Sequence, residues 1–130
     1  MISPNTHLGI NAALCGAPTE LTEGRATVTL TTTPEMGADD VGLVHGGFVF
    51  GLADYAAMLA VNDPNVVLGS AEVRFVAPVR VGEVVTATAT LTEEKKRKRV
   101  LEATASVGDK EVFKGTFVAF VLDKHVLADG

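Results

Sequence analysis

Residues His45 to Val61 read HGGFVFGLADYAAMLAV, and this stretch decides how the rest of the chain is arranged. Its one formal charge is Asp54, and every other position is apolar, small or neutral. The run has the length of a buried helix and no breaker after its opening glycines. An ionised carboxylate in such surroundings costs several kcal/mol, roughly, unless something pairs with it. Asp54 therefore either has a structural partner or is kept for chemistry. Gly46 and Gly47 fall where the helix begins, where backbone N–H groups lack intrahelical acceptors and the helix dipole is positive. Glycines let a ligand approach that backbone without meeting a Cβ. An oxyanion-type donor and a carboxylate on one segment suit attack on a carbonyl carbon, the amide holding the developing charge and the carboxylate attacking or activating water.

The two groups cannot serve one carbonyl from the same helix. Eight residues separate Gly46 from Asp54, which at ~1.5 Å rise per residue is about 12 Å. A reacting carbonyl needs its donor and its base each within about 3 Å. Two antiparallel copies would set Gly46 of one subunit against Asp54 of the other. The spacing thus predicts a homodimer with two composite sites on a two-fold axis, and a dimer of dimers is compatible with it.

The string His45-Gly46-Gly47, six residues of spacer, then Asp54 resembles the hotdog-fold acyl-CoA thioesterases of the phenylacetyl-CoA and 4-hydroxybenzoyl-CoA type. The resemblance runs from about Val28 to Leu122. It includes Phe75-Val76-Ala77-Pro78 followed by Val81-Gly82-Glu83, which looks like the family's strand–turn–strand step. It implies that Asp54 is the catalytic carboxylate and that Gly46 gives the oxyanion N–H. It also implies a thioester of coenzyme A as substrate and no metal or redox cofactor. His45 is a candidate general base, with capping of the helix or orientation of the loop as the competing role. Gly47 shares the substrate-facing end of the helix. Ser70 lies on the next strand, where related enzymes carry polar groups near the thioester. The family often has Asn six residues before the His, where it helps to position substrate or water. This chain has Asp39 there, followed by Asp40. An ionised carboxylate donates no hydrogen bond. If Asp39 faces the site, it and Asp54 would raise each other's pKa; if it points outward, the loop is merely acidic.

Composition narrows the alternatives. At 130 residues the chain is a single domain, 1–130, large enough for a real core, and 47% hydrophobic content argues against disorder. A net charge of −5 argues against general nucleic-acid binding. No stretch has the length and uniform apolarity of a membrane span, and no basic, then apolar, leader opens the chain. Cys15 is the only cysteine, so no intrachain disulfide forms, which fits a reducing cytoplasm. His7, His45 and His125 are scattered, and no Cys/His cluster has metal-ligand spacing.

Outside the helix the pattern is β. Residues 1 to 24 read as an irregular or short helical lead-in punctuated by Pro4, Gly16, Pro18 and Gly24. Arg25 to Thr32 alternates as a half-buried strand, and Thr33 to Leu43 is a loop. Strands follow over Val66 to Ala77, Gly82 to Glu93, Arg97 to Val107 and Glu111 to Leu122, with Gly108-Asp109 as a hairpin turn. Two-sided apolarity in the last strand predicts a central place in the sheet. The expected class is α+β, an antiparallel sheet of five to six strands wrapped around one long helix, the hotdog arrangement.

Lys95, Lys96, Arg97, Lys98 and Arg99 form the one basic run in an acidic chain. Such runs are commonly solvated hairpin tips; here it is also a candidate seat for the phosphates of coenzyme A. Strand alternation would divide it, Lys96 and Lys98 on one face, Arg97 and Arg99 on the other. Tyr55, beside Asp54 in sequence, points about 100° away around the helix and is read as a packing residue. Together with the family resemblance, these observations lead to the expectation of a cytoplasmic acyl-CoA thioesterase. A non-catalytic acyl-CoA-binding or sensing protein of the same fold is the first alternative and a purely structural dimer another. A hydratase-type site would require a differently placed His.

Overall fold

The computed structural model describes residues 1–128. A short helix α1 (Ala12–Cys15) leads into β1 (Ala17–Thr22) and β2 (Arg25–Thr31). A single 3-10 turn (Pro34–Met36) and a loop then lead to the central helix α2 (Gly46–Val61), followed by β3 (Val66–Phe75), β4 (Val84–Lys95), β5 (Lys98–Val107) and β6 (Lys110–Val121). The six strands form one sheet in the order β1-β2-β4-β5-β6-β3, antiparallel throughout. The sheet wraps α2, which is the hotdog fold.

The helix forms because nearly all of its circumference can be buried. Val49, Leu52, Ala53 and every residue from Tyr55 to Ala60 are buried. Tertiary burial therefore outweighs the poor helix propensity of Gly46, Gly47 and Gly51. It ends at Asn62, whose left-handed backbone lets its N–H bond to the Met58 carbonyl, two residues before Pro64. The Asn62 side chain also fastens the N-terminal segment, accepting from the Asn5 N–H and donating to the Ser3 carbonyl.

The sheet that receives the helix has a floor of small residues. Ala87 pairs with Ala105, and Ala89 with Ala103 and Ala26; all five are buried. Their short side chains let α2 settle close to β2, β4 and β5. On the opposite face threonines pair across the strands, Thr27 with Thr88 and Thr29 with Thr86, through their hydroxyls. Toward β6 and β3 the packing changes. Phe50 of the helix, Phe113, Phe117 and Phe75 fill the wedge, with ring centroids 5.3–6.4 Å apart.

Two expectations are corrected. The lead-in is not wholly irregular, because residues 17–22 form an edge strand paired with β2. Pro18 and Gly16 masked it. Proline is tolerated at a sheet edge, where a missing N–H breaks no inner ladder, and the register slips between Pro18 and Glu20. The strand after the helix stops at Phe75, before Ala77, since Val76 and Ala77 both donate to the Val112 carbonyl as the chain turns away. The last strand does lie inside the sheet, between β5 and β3.

The alanine floor is testable. Ala103→Leu inserts methylenes where the helix leaves no room, and should lower the free energy of unfolding by about 1–3 kcal/mol. Chemical denaturation measures this; an unchanged midpoint would mean that the floor yields.

Candidate functional site

The helix start is set by the loop before it. The Asp39 carboxylate accepts backbone N–H groups from Val41, Gly42 and Leu43 through one oxygen, at 2.9, 3.1 and 3.2 Å. The Leu43 and Val41 bonds in particular hold its pKa below the usual carboxylate value. The loop is then stitched into the body: His45 N–H donates to Met36 O, Val44 N–H to Val79 O, and Val81 N–H to Gly42 O. The chain thus reaches Gly46 along a fixed path.

His45 occupies the N-cap position by backbone, but its side chain makes no capping bond. The ring is exposed, edge-on to Phe48, and lies over Gly47, where a Cβ would come within 2.8 Å of Nε2. The capping role considered for the His45 side chain is therefore not realised. Gly46 lies under Phe75, whose ring would be 3.2 Å from an added Cβ. Each glycine makes room for one ring. Neither glycine's N–H has an acceptor among the described residues, as the first turn of a helix requires.

Beside these amides lies an apolar hollow of about 310 Å³, lined by Gly46 together with Leu43, Val49, Phe75, Val76 and Val112. Leu43, Phe75 and Val76 are 43–55% exposed at its rim. The sequence places Phe75-Val76 near the end of a strand, but does not show that Phe75 lies against the helix start.

Asp54 is two turns farther along, on the stripe that carries Gly47 and Gly51. This is the least covered side of α2, and a Cβ on Gly51 would meet nothing within 4 Å. The carboxylate is half-buried, and its buried Oδ1 has no hydrogen-bond partner. Burial alone pushes its pKa up to about 6. Asp39 contributes nothing to that shift. The conditional pairing of the two carboxylates does not arise within the chain: Asp39 serves its own loop, and Asp54 stands alone.

Ser70 is exposed on the edge strand β3, just past a bulge at Gly69. The basic run forms the β4–β5 turn, with Lys95 paired to Lys98 and Lys96 in a left-handed conformation. Arg97 is bound to Asp123; Arg99 is paired with Glu94 and donates to the Lys96 and Lys98 carbonyls. Lys95, Lys96 and Lys98 have no carboxylate partner among the described residues. The turn packs beside the residues that follow α2, since Val121 N–H bonds to Arg97 O and Leu122 N–H to Asn65 O. It therefore sits at the far end of the helix from its own Gly46. Among the described residues no three His, Cys, Asp or Glu side chains group as a metal site, and no helix is long and apolar enough to cross a membrane.

The raised pKa has a consequence for stability. A carboxyl near 6 when folded and near 3.9 when unfolded binds its proton more tightly in the native state. Its penalty is absent below about pH 4, grows through pH 4 to 6, and is full above pH 6. Asp54→Asn should therefore stabilise the fold at pH 8 by about 2 kcal/mol and much less at pH 4.5. Denaturant titrations at the two pH values test this; destabilisation at pH 8 would reveal a structural partner for the carboxylate.

The family model of the thioesterase superfamily matches residues 41–114. Methylthioribose-1-phosphate isomerase of Aquifex aeolicus is 50% identical over 91% of this chain, which spans only 26% of that protein. Transcription factor FapR of Thermoanaerobacter sp. is 28% identical over 65% of this chain and 42% of its own length. Among solved structures, uncharacterized protein PH1136 of Pyrococcus horikoshii is 49% identical, with a TM-score of 0.96 and 98% of each chain covered. A mutant of phenylacetic acid degradation protein PaaI of Thermus thermophilus is 29% identical, with a TM-score of 0.78 over 85% of this chain and 96% of that one. A hypothetical thioesterase of Streptococcus pneumoniae with coenzyme A, at 19% identity, shares the fold, with a TM-score of 0.75 over 84% of this chain and 87% of that one.

Proposed function

Because the chain belongs to the thioesterase superfamily, we propose that it hydrolyses an acyl-CoA thioester to a free acid and coenzyme A, with Asp54 as the catalytic carboxylate. The observation that carries this reading is the buried, unpartnered Asp54 oxygen on the open side of α2. With a pKa of about 6 the group is mostly ionised at neutral pH yet basic enough to take a proton. Either water adds to the thioester carbon as Asp54 accepts its proton, or the Asp54 carboxylate itself attacks that carbon and expels the thiolate, and water then cleaves the acyl–Asp54 anhydride so formed. The carbonyl oxygen becomes an oxyanion held by the Gly46 N–H, the C–S bond breaks, and the proton passes to the departing thiolate.

The Gly46 donor comes from a second subunit in this reading, since one helix holds the two groups about 12 Å apart. The exposed apolar rim of Leu43, Phe75 and Val76, the thinly covered Asp54 stripe and the unpaired outer edge of β3 support such a homodimer. The Lys95–Arg99 turn would then reach a thioester only across subunits. His45, exposed and beside the amides, is placed to orient the loop or water, and direct proton transfer falls to Asp54.

A second reading has one observation in its favour. A transcription factor carries a matching segment over 42% of its length, so the same fold occurs in proteins named for gene control and not for catalysis. Acyl-CoA binding without turnover is that reading for this chain.

Asp54→Asn should lower turnover about a hundredfold or more with a smaller effect on binding. The wild-type kcat/KM should fall on the acid side with an apparent pKa near 6. Steady-state kinetics on acyl-CoA across pH 4.5–8.5 decides the matter. Wild-type turnover in the variant removes Asp54 from the chemistry, whereas micromolar binding without turnover in the wild type selects the sensing reading.

A further inference from the structure

Arg74 and Lys114 are direct cross-strand neighbours on β3 and β6. Like charges opposite one another weaken a strand pair. Neither appears in an ion pair or a side-chain hydrogen bond among the described residues, whereas Arg97 and Arg99 both have carboxylates. Both side chains are exposed, and together with Phe75 and Val76 they line a hollow of about 510 Å³. Phe75 and Val76 also line the apolar hollow that contains Gly46. A continuous surface therefore runs from the free Gly46 amide, over two apolar side chains, to two unpaired cations.

The neighbouring row of the sheet is acidic. Glu72 and Glu102 flank Thr116, and the Thr116 hydroxyl donates to both Glu102 oxygens at 2.9 and 3.0 Å. Glu72 and Glu102 share a second hollow, of about 500 Å³, with Arg74 and Lys114, so the two cations lie between the acidic row and the Phe75–Val76 surface. Across the apolar hollow, Arg80 has the Glu83 carboxylate against its own backbone N–H. The Lys95–Arg99 turn is at the opposite end of the helix.

We propose that Arg74 and Lys114 form the seat for a phosphate or diphosphate group on a ligand whose acyl end lies at Gly46 of the same chain. The inference rests on the acyl-CoA reading given above and assigns the anionic end of that substrate to this pair. The pair keeps its repulsion because the ligand, and not a side chain, supplies the counter-charge. Two adjacent cations beside an apolar path can hold the phosphates of a thioester while the linker lies on Phe75 and Val76.

The test has three arms, using the full chain. Free coenzyme A is titrated calorimetrically into wild type and into Arg74→Gln/Lys114→Gln, and affinity should fall about ten- to hundredfold, less at high salt. Arg74→Lys/Lys114→Arg, which keeps both charges, should restore most of it. Hydrolysis of hexanoyl-CoA should show the same rise in KM in the neutral variant, while a hexanoyl-pantetheine thioester, lacking the nucleotide phosphates, should not distinguish it from wild type. No binding of coenzyme A by wild type, unchanged affinity in the neutral variant, or equal losses on both thioesters would overturn the seat. A change in sedimentation coefficient with equal losses would assign the pair to subunit assembly and likewise overturn it. Failure of the hydrolase reading is separate: coenzyme A binding that depends on the pair, with no turnover of either thioester, leaves the seat standing and removes the hydrolysis.

Discussion

The structure depends on how closely one nearly featureless apolar helix approaches a sheet. Alanines on β2, β4 and β5 are buried beneath α2, and Ala53, Ala56, Ala57 and Ala60 of that helix are buried as well. Small residues on both sides bring the helix down and exclude water from that flank. Close contact on one flank leaves the other to be filled by larger groups, and phenylalanines do so. The asymmetry tilts the exposure of the helix, so that Gly47, Gly51 and Asp54 share its least covered stripe. The candidate chemistry therefore sits where the packing is thinnest as a consequence of where it is densest.

That arrangement also explains why Asp54 is perturbed without a partner. A carboxylate facing solvent would keep its ordinary pKa, and one among the alanines would be neutral or ruinous. At the margin it is desolvated enough to raise its pKa and exposed enough to ionise. The stability given up is of the kind expected at functional sites, where local rules are broken for the sake of reactivity. Asp39 is the contrast. Three backbone N–H groups hold its charge in solvent, and its work is to deliver the chain to Gly46 in one conformation.

Much of this was legible beforehand. Helical bounds follow from glycine at one end and Asn62-Asp63-Pro64 at the other, and five of the six strands are readable from their apolar patterning. Edge strand β1 was not legible, because only Leu21 is fully buried in it and Pro18 reads as punctuation. The offset between the glycines and Asp54 was legible; that the Asp54 oxygen lacks a partner was not, since satisfaction depends on every neighbour at once. Five cations in succession stand out in a sequence and two that lie far apart do not, yet antiparallel pairing puts Arg74 beside Lys114 and sets the run at the far end of the helix from Gly46 of its own chain.

In the proposed antiparallel pair of helices, covering the Asp54 stripe would remove more water from the carboxylate and raise its pKa further if nothing else changed. The covering element, however, is the start of the partner's helix, with free N–H groups and a positive dipole end. That field favours the ionised form. Assembly and ionisation are then coupled: the second subunit removes water while supplying the positive potential that replaces it. The same amides are the donors a developing oxyanion needs, so the substrate's carbonyl competes with Asp54 for them. Before substrate enters, the partner's helix end stabilises the carboxylate. In that proposed arrangement a carbonyl oxygen that takes the amides would withdraw part of that stabilisation and leave Asp54 more basic at the moment when a proton must be removed from water.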